Sequence, residues 1–507
     1  NKCDLILSMG ELFDRLYIFE MANNHEGSVA HGLKIIDVVA NLAKKHQIKA
    51  AVKLQLRELE TFIHPDYKQR EDIKHIKRFE SARLNFQDFE ELVEAIHHHH
   101  LISVATPFDE SSVANCQKLG IQILKLASCS ATDWPLMTAM AEVKKPIIAS
   151  TGGLGISDID HLVSFFYKRV PAFALMHCVS IYPTPNDRIH MNFLGKMIRR
   201  YPYVKVGYSG HESPENRMGV MAAVAKGAQL LERHIGVSAE GIKLNRYSLD
   251  PDQADHWVSA AEEMREICGG DDHKFIGEDE IVSLRELQRG VYVKQQVKQG
   301  TPILDDDVFF AMPCAEGQLT SGEFGQLRAK FIATQDYVPG AALYEKTEQD
   351  SIRMVREIVH DTKGLLYEAG IELGKDYQIE ISHHYGLSKF REMGCVLINL
   401  INREYCYKLL IMLPGQKHPP HLHQQKEETF YLLWGDITVN LRDSGEVSMK
   451  PGDRLLIHRG ILHDFMTKSG AIVAEISTHS IVGDSYYENK EIARLDPIQR
   501  KTFVESW

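Results

Sequence analysis

Leu16-Tyr17-Ile18-Phe19-Glu20-Met21-Ala22-Asn23-Asn24-His25-Glu26-Gly27 is the stretch from which the rest of the chain can be read. An apolar run that breaks into polar residues and a glycine reads as a buried parallel strand delivering its C-terminal end to solvent. Glu20 then sits at the rim of that strand, where a bare carboxylate is costly unless something pairs with it. Either it makes a structural salt bridge or it belongs to a site. The same strand-then-polar-end pattern recurs downstream, which favours the site.

The recurrences are Ala50–Gln55, Ile102–Phe108, Ile123–Ser128, Pro146–Gly152, Phe173–Ser180, Lys205–His211 and Leu230–Ile235. Each is followed by enough chain for a helix, beginning with an amphipathic run near Gly32 to Lys45. Eight strands with intervening helices are the arithmetic of a (β/α)8 TIM barrel, whose active sites lie at the carboxyl ends of the strands. An open doubly wound sheet is the competing α/β fold, but no Gly-rich dinucleotide fingerprint follows the first strand.

A chain of 507 residues has room for about three domains. Its net charge of -11 disfavours a nucleic-acid or anionic-membrane partner, although a local positive pocket survives a negative average. Eight cysteines scattered without CxxC pairs suit a reducing compartment and argue against structural zinc. No apolar stretch approaches a membrane span and the first residues carry no secretory pattern, so a cytoplasmic location is expected.

Lys53, Lys125, Ser128, Ser150, Thr151 and Ser209 would converge on one mouth of the barrel. Two lysines and several hydroxyls read as donors without acceptors, as an anionic or phosphorylated substrate requires. His211 and His234 close adjacent strands; each alone reads as a hydrogen-bonded core histidine, but as neighbours they could bind one divalent cation.

Phe19-Glu20-Met21-Ala22-Asn23-Asn24-His25-Glu26-Gly27, Val52-Lys53-Leu54-Gln55, Ala105-Thr106-Pro107-Phe108, Leu124-Lys125-Leu126-Ala127-Ser128, Ser150-Thr151-Gly152, Ile181-Tyr182-Pro183-Thr184-Pro185, Gly207-Tyr208-Ser209-Gly210-His211 and Glu232-Arg233-His234 resemble, in order, the motifs of the sialic acid synthase family. The resemblance covers roughly Leu16 to Lys346. It implies condensation of phosphoenolpyruvate with the open-chain form of a 2-acetamido sugar, giving a nine-carbon 2-keto acid and phosphate. Lys53, Thr106, Lys125, Ser128, Ser150 and Ser209 are implied to hold phosphoenolpyruvate, and His211 and His234 to hold Mn or Mg. Glu20, Gln55 and Tyr182 would face the sugar and, with Lys53 and Lys125, form the implied catalytic set. The sequence departs from the family at Ser130, Ser180, Gly210, Leu244 and Met312, mostly on the sugar side.

A second module, 284–348, alternates short strands with turn signals such as Val338-Pro339-Gly340. It resembles the small antifreeze-like (SAF) domain of the same family, which implies a domain-swapped homodimer. A third module, 349–507, begins with helical periodicity from Ser351 to Gly370 and turns strand-rich. There His421, His423, Glu428 and Gly435 have the spacing of the first cupin motif, and Pro451-Gly452-Asp453 with His463 resembles the second. Histidines two apart on a strand face the same side, so His421, His423, Glu428 and His463 are expected to bind a second divalent metal. Glu427 would point the other way, while His383, His384, His418 and His97 to His100 read as surface or loop histidines.

The expected protein is therefore a three-domain enzyme: a barrel synthase (1–280), a small lid and a metal cupin. One alternative is a sugar isomerase or epimerase centred on the cupin; another is a sugar-binding regulatory protein with a degenerate barrel.

Overall fold

The structure is a computed structural model that describes residues 11–505 apart from 69, 71, 271–273, 326–330, 346–350, 376 and 443. The chain divides into two compact units between Lys274 and Phe275. The expected boundary at 348/349, and Lys346 where the family resemblance was drawn to end, lie outside the described residues.

The first unit is the closed parallel barrel that the sequence pattern predicts, with strands in the order in which they occur. They are β1 (Leu16–Glu20), β2 (Lys49–Leu56), β3 (Ile102–Pro107), β4 (Ile123–Leu126), β5 (Ile147–Ser150), β6 (Phe173–Cys178), β7 (Lys205–Ser209) and β8 (Leu230–His234). Closure is direct: β1 pairs with both β2 and β8, so that Glu20 is in register with Lys53 on one side and His234 on the other.

Period-two alternation sorts every strand into two faces. Leu16, Ile18, Ala51, Val104, Ile123, Ile148, Ala174, Met176 and Leu230 form one buried cluster that plugs the barrel interior. Tyr17, Phe19, Val52, Leu54, Leu124 and Leu231 belong to the larger cluster shared with the surrounding helices. Helix Val29–His46 shows how that layer is built: the Ser28 side chain caps it, and Ile35, Ile36, Val39 and Leu42 are buried on one face. Counting in twos from the interior plug reaches Glu20, Lys53, Gln55, Thr106, Lys125, Ser150, Glu232 and His234. The residues that point inward at the strand ends are thus the polar ones, stacked above an apolar floor.

In the second unit, Val291, Val293, Val308, Phe324, Phe331 and Leu343 form the core of a small module whose strands include Gly290–Val293, Val308–Ala311 and Phe331–Ile332. After helix Ser351–Glu368 the chain forms two antiparallel sheets, of seven and five strands. A core of Phe430, Leu432, Val439, Phe465 and Val473 lies in this region. This is the all-β barrel expected of the cupin motifs.

Candidate functional site

At the barrel mouth the two lysines are not donors without acceptors, and that expectation is corrected by Glu232. Its Oε1 accepts from Lys53 Nζ at 2.7 Å and from Ser209 Oγ at 2.9 Å, and its Oε2 from Lys125 Nζ at 2.8 Å. Lys53 also lies 2.6 Å from Glu20 Oε2, while Glu20 Oε1 accepts from the Ala22 N–H at 2.8 Å. All four charged groups are buried. Burial works against the Lys53 ammonium, yet Glu20 and Glu232 outweigh it and hold the group above its ordinary range. Lys125 has one carboxylate only; burial wins, and its affinity for a proton falls below the usual lysine value. Burial likewise opposes the Glu232 charge, but Lys125 and Lys53 dominate and keep that carboxylate ionised.

An ammonium carries three N–H donors. Lys53 spends two of them on Glu20 and Glu232, and Lys125 spends one on Glu232. The pair therefore retains three donors for a ligand. A signal for Glu232 existed in the sequence: inward residues of alternate strands share a layer in such a barrel, and Lys53, Lys125 and Glu232 sit on β2, β4 and β8.

Beside this network lie His211 and His234, with ring centroids 5.3 Å apart. The rings of Tyr182 and Tyr247 flank them, Tyr182 at 4.4 Å from His211 and Tyr247 at 5.1 Å from His234. Burial lowers both imidazoles, His234 to about 3 and His211 well below its usual value, where the neighbouring His234 adds to the effect. Both are therefore neutral at physiological pH, the form in which imidazole ligates a metal. Tyr182 is half-exposed at the rim.

The other expected residues take places around the same edge. Ser128 lies in a single turn after β4, where its Oγ accepts from the Gly152 N–H at 2.9 Å. A Cβ at Gly152 would fall 2.3 Å from Ser180 Oγ and 2.7 Å from Ser128 Oγ, so the close approach of these loops requires glycine. Thr106 lies one residue before the end of β3 and Ser150 ends β5; among the described residues no hydrogen bond links either hydroxyl to the lysines. Gln55 Oε1 accepts from Arg57 Nη1 at 3.1 Å.

Two departures acquire physical reasons. A Cβ at Gly210 would stand 2.5 Å from Glu212 Oε2. Glu212 fills that space, pairing with Arg233 Nη1 at 2.8 Å and accepting from Tyr208 OH at 2.8 Å, all within the core. Leu244 packs over Gly236, whose Cβ position is 2.5 Å from Leu244 Cδ2.

The cupin cluster is the second constellation. Ligand atoms of His421, His423, Glu428 and His463, all buried, lie within 4.8 Å of one another. His421 and His463 are directly opposed across two antiparallel strands. The Nδ1 atoms of His421, His423 and His463 each face a backbone carbonyl, of Pro419 at 3.1 Å, Asp484 at 2.8 Å and Ile461 at 3.0 Å. A carbonyl can only accept, so Nδ1 carries the proton and Nε2 the free lone pair in all three rings. Glu428 Oε2 is held by Lys426 Nζ at 2.7 Å, whereas Oε1 has no hydrogen bond and points toward His463 Nε2, itself without one, 3.1 Å away. Three Nε2 lone pairs and one carboxylate oxygen left unsatisfied around a buried point fit a divalent ion. Burial opposes the Glu428 charge, but Lys426 and the facing imidazoles outweigh it and hold the carboxyl well below its ordinary range. Glu427 does point away, to His458 at 3.0 Å.

The expectation that His383, His384 and His418 are surface histidines is wrong: all three are buried, and His418 stacks on Phe465 with centroids 4.5 Å apart. His97 to His100 are exposed as expected.

An eight-stranded barrel with a polar, charge-paired mouth and a cupin with clustered histidine and glutamate side chains define a fold of the sugar-acid synthase class. The "NeuB family" model matches residues 40–273 and the "Cupin domain" model residues 408–477. A solved Chromobacterium violaceum protein assigned to spore coat polysaccharide biosynthesis is 39% identical with a TM-score of 0.63, covering 65% of this chain and 98% of that one. The N-acetylneuraminate-9-phosphate synthase of Drosophila melanogaster is 29% identical over 48% of this chain and 66% of its own length. The N,N'-diacetyllegionaminic acid synthase of Campylobacter jejuni is 23% identical over 64% of this chain and 96% of its own length. The chain belongs to the NeuB family. Among the described residues no helix is long and apolar enough to cross a membrane.

Proposed function

We propose that the barrel condenses phosphoenolpyruvate with the open-chain aldehyde of a 2-acetamido or related sugar, giving a 2-keto-3-deoxy acid and phosphate. The observation that carries this reading is the Lys53–Glu232–Lys125 bridge, which holds two buried ammoniums in fixed positions with N–H donors to spare. Such preorganised cations stabilise charge developing on a departing phosphate without reorganising at the moment of reaction. In this reading Lys53, Thr106, Lys125, Ser128, Ser150 and Ser209 bind phosphoenolpyruvate, with Glu20, Gln55 and Tyr182 on the sugar side. His211 and His234 would hold a Mn or Mg ion, which supplies Lewis-acid polarisation of the aldehyde when bound. Carbon 3 of phosphoenolpyruvate attacks the aldehyde carbon, water adds at carbon 2, and phosphate leaves. Glu20, fixed by Lys53 and the Ala22 N–H, orients sugar hydroxyls, where positioning alone contributes several kcal/mol.

The division into barrel (1–280), SAF lid (284–348) and helix-plus-cupin (349–507), with a swapped homodimer as the working form, belongs to the same proposal. Incubation with phosphoenolpyruvate, Mn and a panel of hexosamines should release phosphate, and Lys53→Ala should abolish it. Absence of release with every sugar, together with no calorimetric binding of phosphoenolpyruvate, refutes the synthase reading.

A second activity is favoured by the free Nε2 lone pairs of the cupin cluster. His421, His423, Glu428 and His463 would hold a divalent ion able to polarise a sugar carbonyl and its neighbouring hydroxyl. Isomerisation or epimerisation next to the carbonyl would prepare the sugar for the barrel. If stripping the cupin metal changes no sugar conversion, ligand sensing is the better account.

A further inference from the structure

Arg57 lies just past the end of β2, two residues beyond Gln55, in the segment that leads to the short helices Leu59–Phe62 and Lys74–Ser81. Its guanidinium carbon is 3.5 Å from the centroid of the Phe108 ring and 4.0 Å from that of Phe79, with Phe62 at 6.0 Å. Two phenyl faces thus flank the guanidinium, leaving its edge as the route to hydrogen-bonding partners. Among the described residues that edge makes one side-chain hydrogen bond, from Nη1 to Gln55 Oε1, and no carboxylate lies within ion-pair distance of it. Nε is buried without a partner. Burial lowers Arg57 to about 10, a range in which it still carries its charge at neutral pH.

A largely desolvated cation without a counter-ion is expensive, and in a folded protein it is normally paired. Stacking on aromatic faces returns only part of that cost. The surroundings are ordered: Arg78 of helix Lys74–Ser81 grips Glu26 through two 2.7 Å contacts, tying this segment to the loop after β1. Glu20 and Asp109 are near enough to favour the charge but do not pair with it. Asp109 is engaged instead as the cap of helix Glu110–Lys118, accepting from the Ser112 N–H at 2.7 Å.

We infer that Arg57 is a specificity-determining residue that reads an anionic oxygen group on the sugar substrate, a phosphate or a carboxylate distal to the reacting carbonyl. The inference rests on the synthase reading and narrows its substrate class. Gln55, the hydrogen-bond partner of Arg57, follows the inward parity of Lys53 on β2, so the group it positions faces the same mouth. Planar N–H donors at a fixed edge suit tetrahedral or trigonal oxyanions better than neutral hydroxyls.

The test is isothermal calorimetry and steady-state kinetics on the full-length protein with Mn and phosphoenolpyruvate, comparing a hexosamine 6-phosphate, a hexosaminuronate and the neutral hexosamine. The wild type should prefer one of the two anionic sugars at least tenfold, and which one names the anion. Arg57→Met, which keeps the stem and the contact with the rings, should raise the KM for that sugar about 10- to 100-fold, the loss of a charge-assisted hydrogen bond. The KM for phosphoenolpyruvate should stay within twofold. Arg57→Lys should recover part of the affinity for a phosphate, which accepts a point charge. A wild type that prefers the neutral sugar overturns the inference while leaving the synthase reading intact. So does an Arg57→Met variant that loses phosphoenolpyruvate and sugar affinity equally, which would make the cage a scaffold for the whole mouth. If the protein binds phosphoenolpyruvate but no anionic sugar, the inference fails alone; if it binds neither reactant, both readings fail.

Discussion

Replacing Glu232 by glutamine removes one charge from the barrel mouth with almost no change of shape. In the native chain that carboxylate takes hydrogen bonds from Lys53, Lys125 and Ser209 at 2.7, 2.8 and 2.9 Å. Lys53 keeps Glu20 at 2.6 Å, but Lys125 is left without a counter-ion. Breaking a buried pair in this way typically costs about 3 to 5 kcal/mol, because the remaining charge must stay desolvated or neutralise. Urea unfolding followed by the fluorescence of Trp257, buried against Tyr17 and Phe19, reads the barrel transition. The loss should depend on pH in a defined direction. Burial already lowers Lys125 and Glu232 is what raises it; without Glu232 the folded lysine loses its proton more readily still, whereas the unfolded one stays protonated up to about 10.4. The unfolded state then binds the extra proton, so the variant's stability rises with pH by about 1.4 kcal/mol per unit. The gap from wild type should narrow as pH rises toward about 10. A variant within about 1 kcal/mol of wild type at neutral pH, or a gap that does not shrink as pH rises, would refute the reasoning.

Glu428→Ala should lower the metal content of the protein by one equivalent while Glu427→Ala leaves it unchanged, as plasma emission measurements on protein dialysed against Mn or Zn would show. Burial holds His25 at about 4, so from about pH 6.5 downward the unfolded chain takes up a proton that the folded one refuses; stability falls by about 2 kcal/mol between pH 7 and 5. His25→Asn, which keeps an acceptor for the Gly27 N–H now held by Nδ1 at 3.1 Å, should flatten that slope in urea melts. Gly210→Ala drives a methyl into Glu212 and should destabilise the barrel by about 1 to 3 kcal/mol in thermal unfolding.

The barrel was legible because its strands are buried on both faces and each runs into polar residues at or shortly after its end. The run from Leu16 to Glu20 is fully buried, and its alternate residues serve the interior plug and the helix layer. Glu20, Lys53, Lys125 and His234 could be placed at one mouth because each lies toward the carboxyl end of its strand. In the cupin the two-residue spacing of His421 and His423 did the same work. What period-two counting does not supply is which inward groups meet. The sequence reading grouped the hydroxyls with the lysines as ligand donors and missed that Glu232, in the same layer, already takes three of those hydrogen bonds. Burial of His383, His384 and His418 was likewise hidden: His383 ends strand Gln378–His383 and His418 lies in strand Lys417–His423, and counting along a strand does not say what covers each face.

Residues that differ from a family pattern are the hardest to read, since a lost group and a relocated one look alike in one dimension. Gly210 is one of the positions at which the sequence departs from the family motifs. In three dimensions its place is taken by the Glu212 carboxylate, which enters the space a Cβ would occupy and pairs with Arg233 behind the mouth. That carboxylate lies in the core, where it braces β8 through Arg233. Arg57 presents the opposite case, a charge that no motif announces: its position just beyond a strand gives it no parity, and its cage is assembled from Phe62, Phe79 and Phe108, which are distant from one another in sequence. A cation at 57 follows Lys53 and Gln55 along the chain, and among the described residues no carboxylate pairs with it. An unpaired cation there is what a more anionic sugar would require.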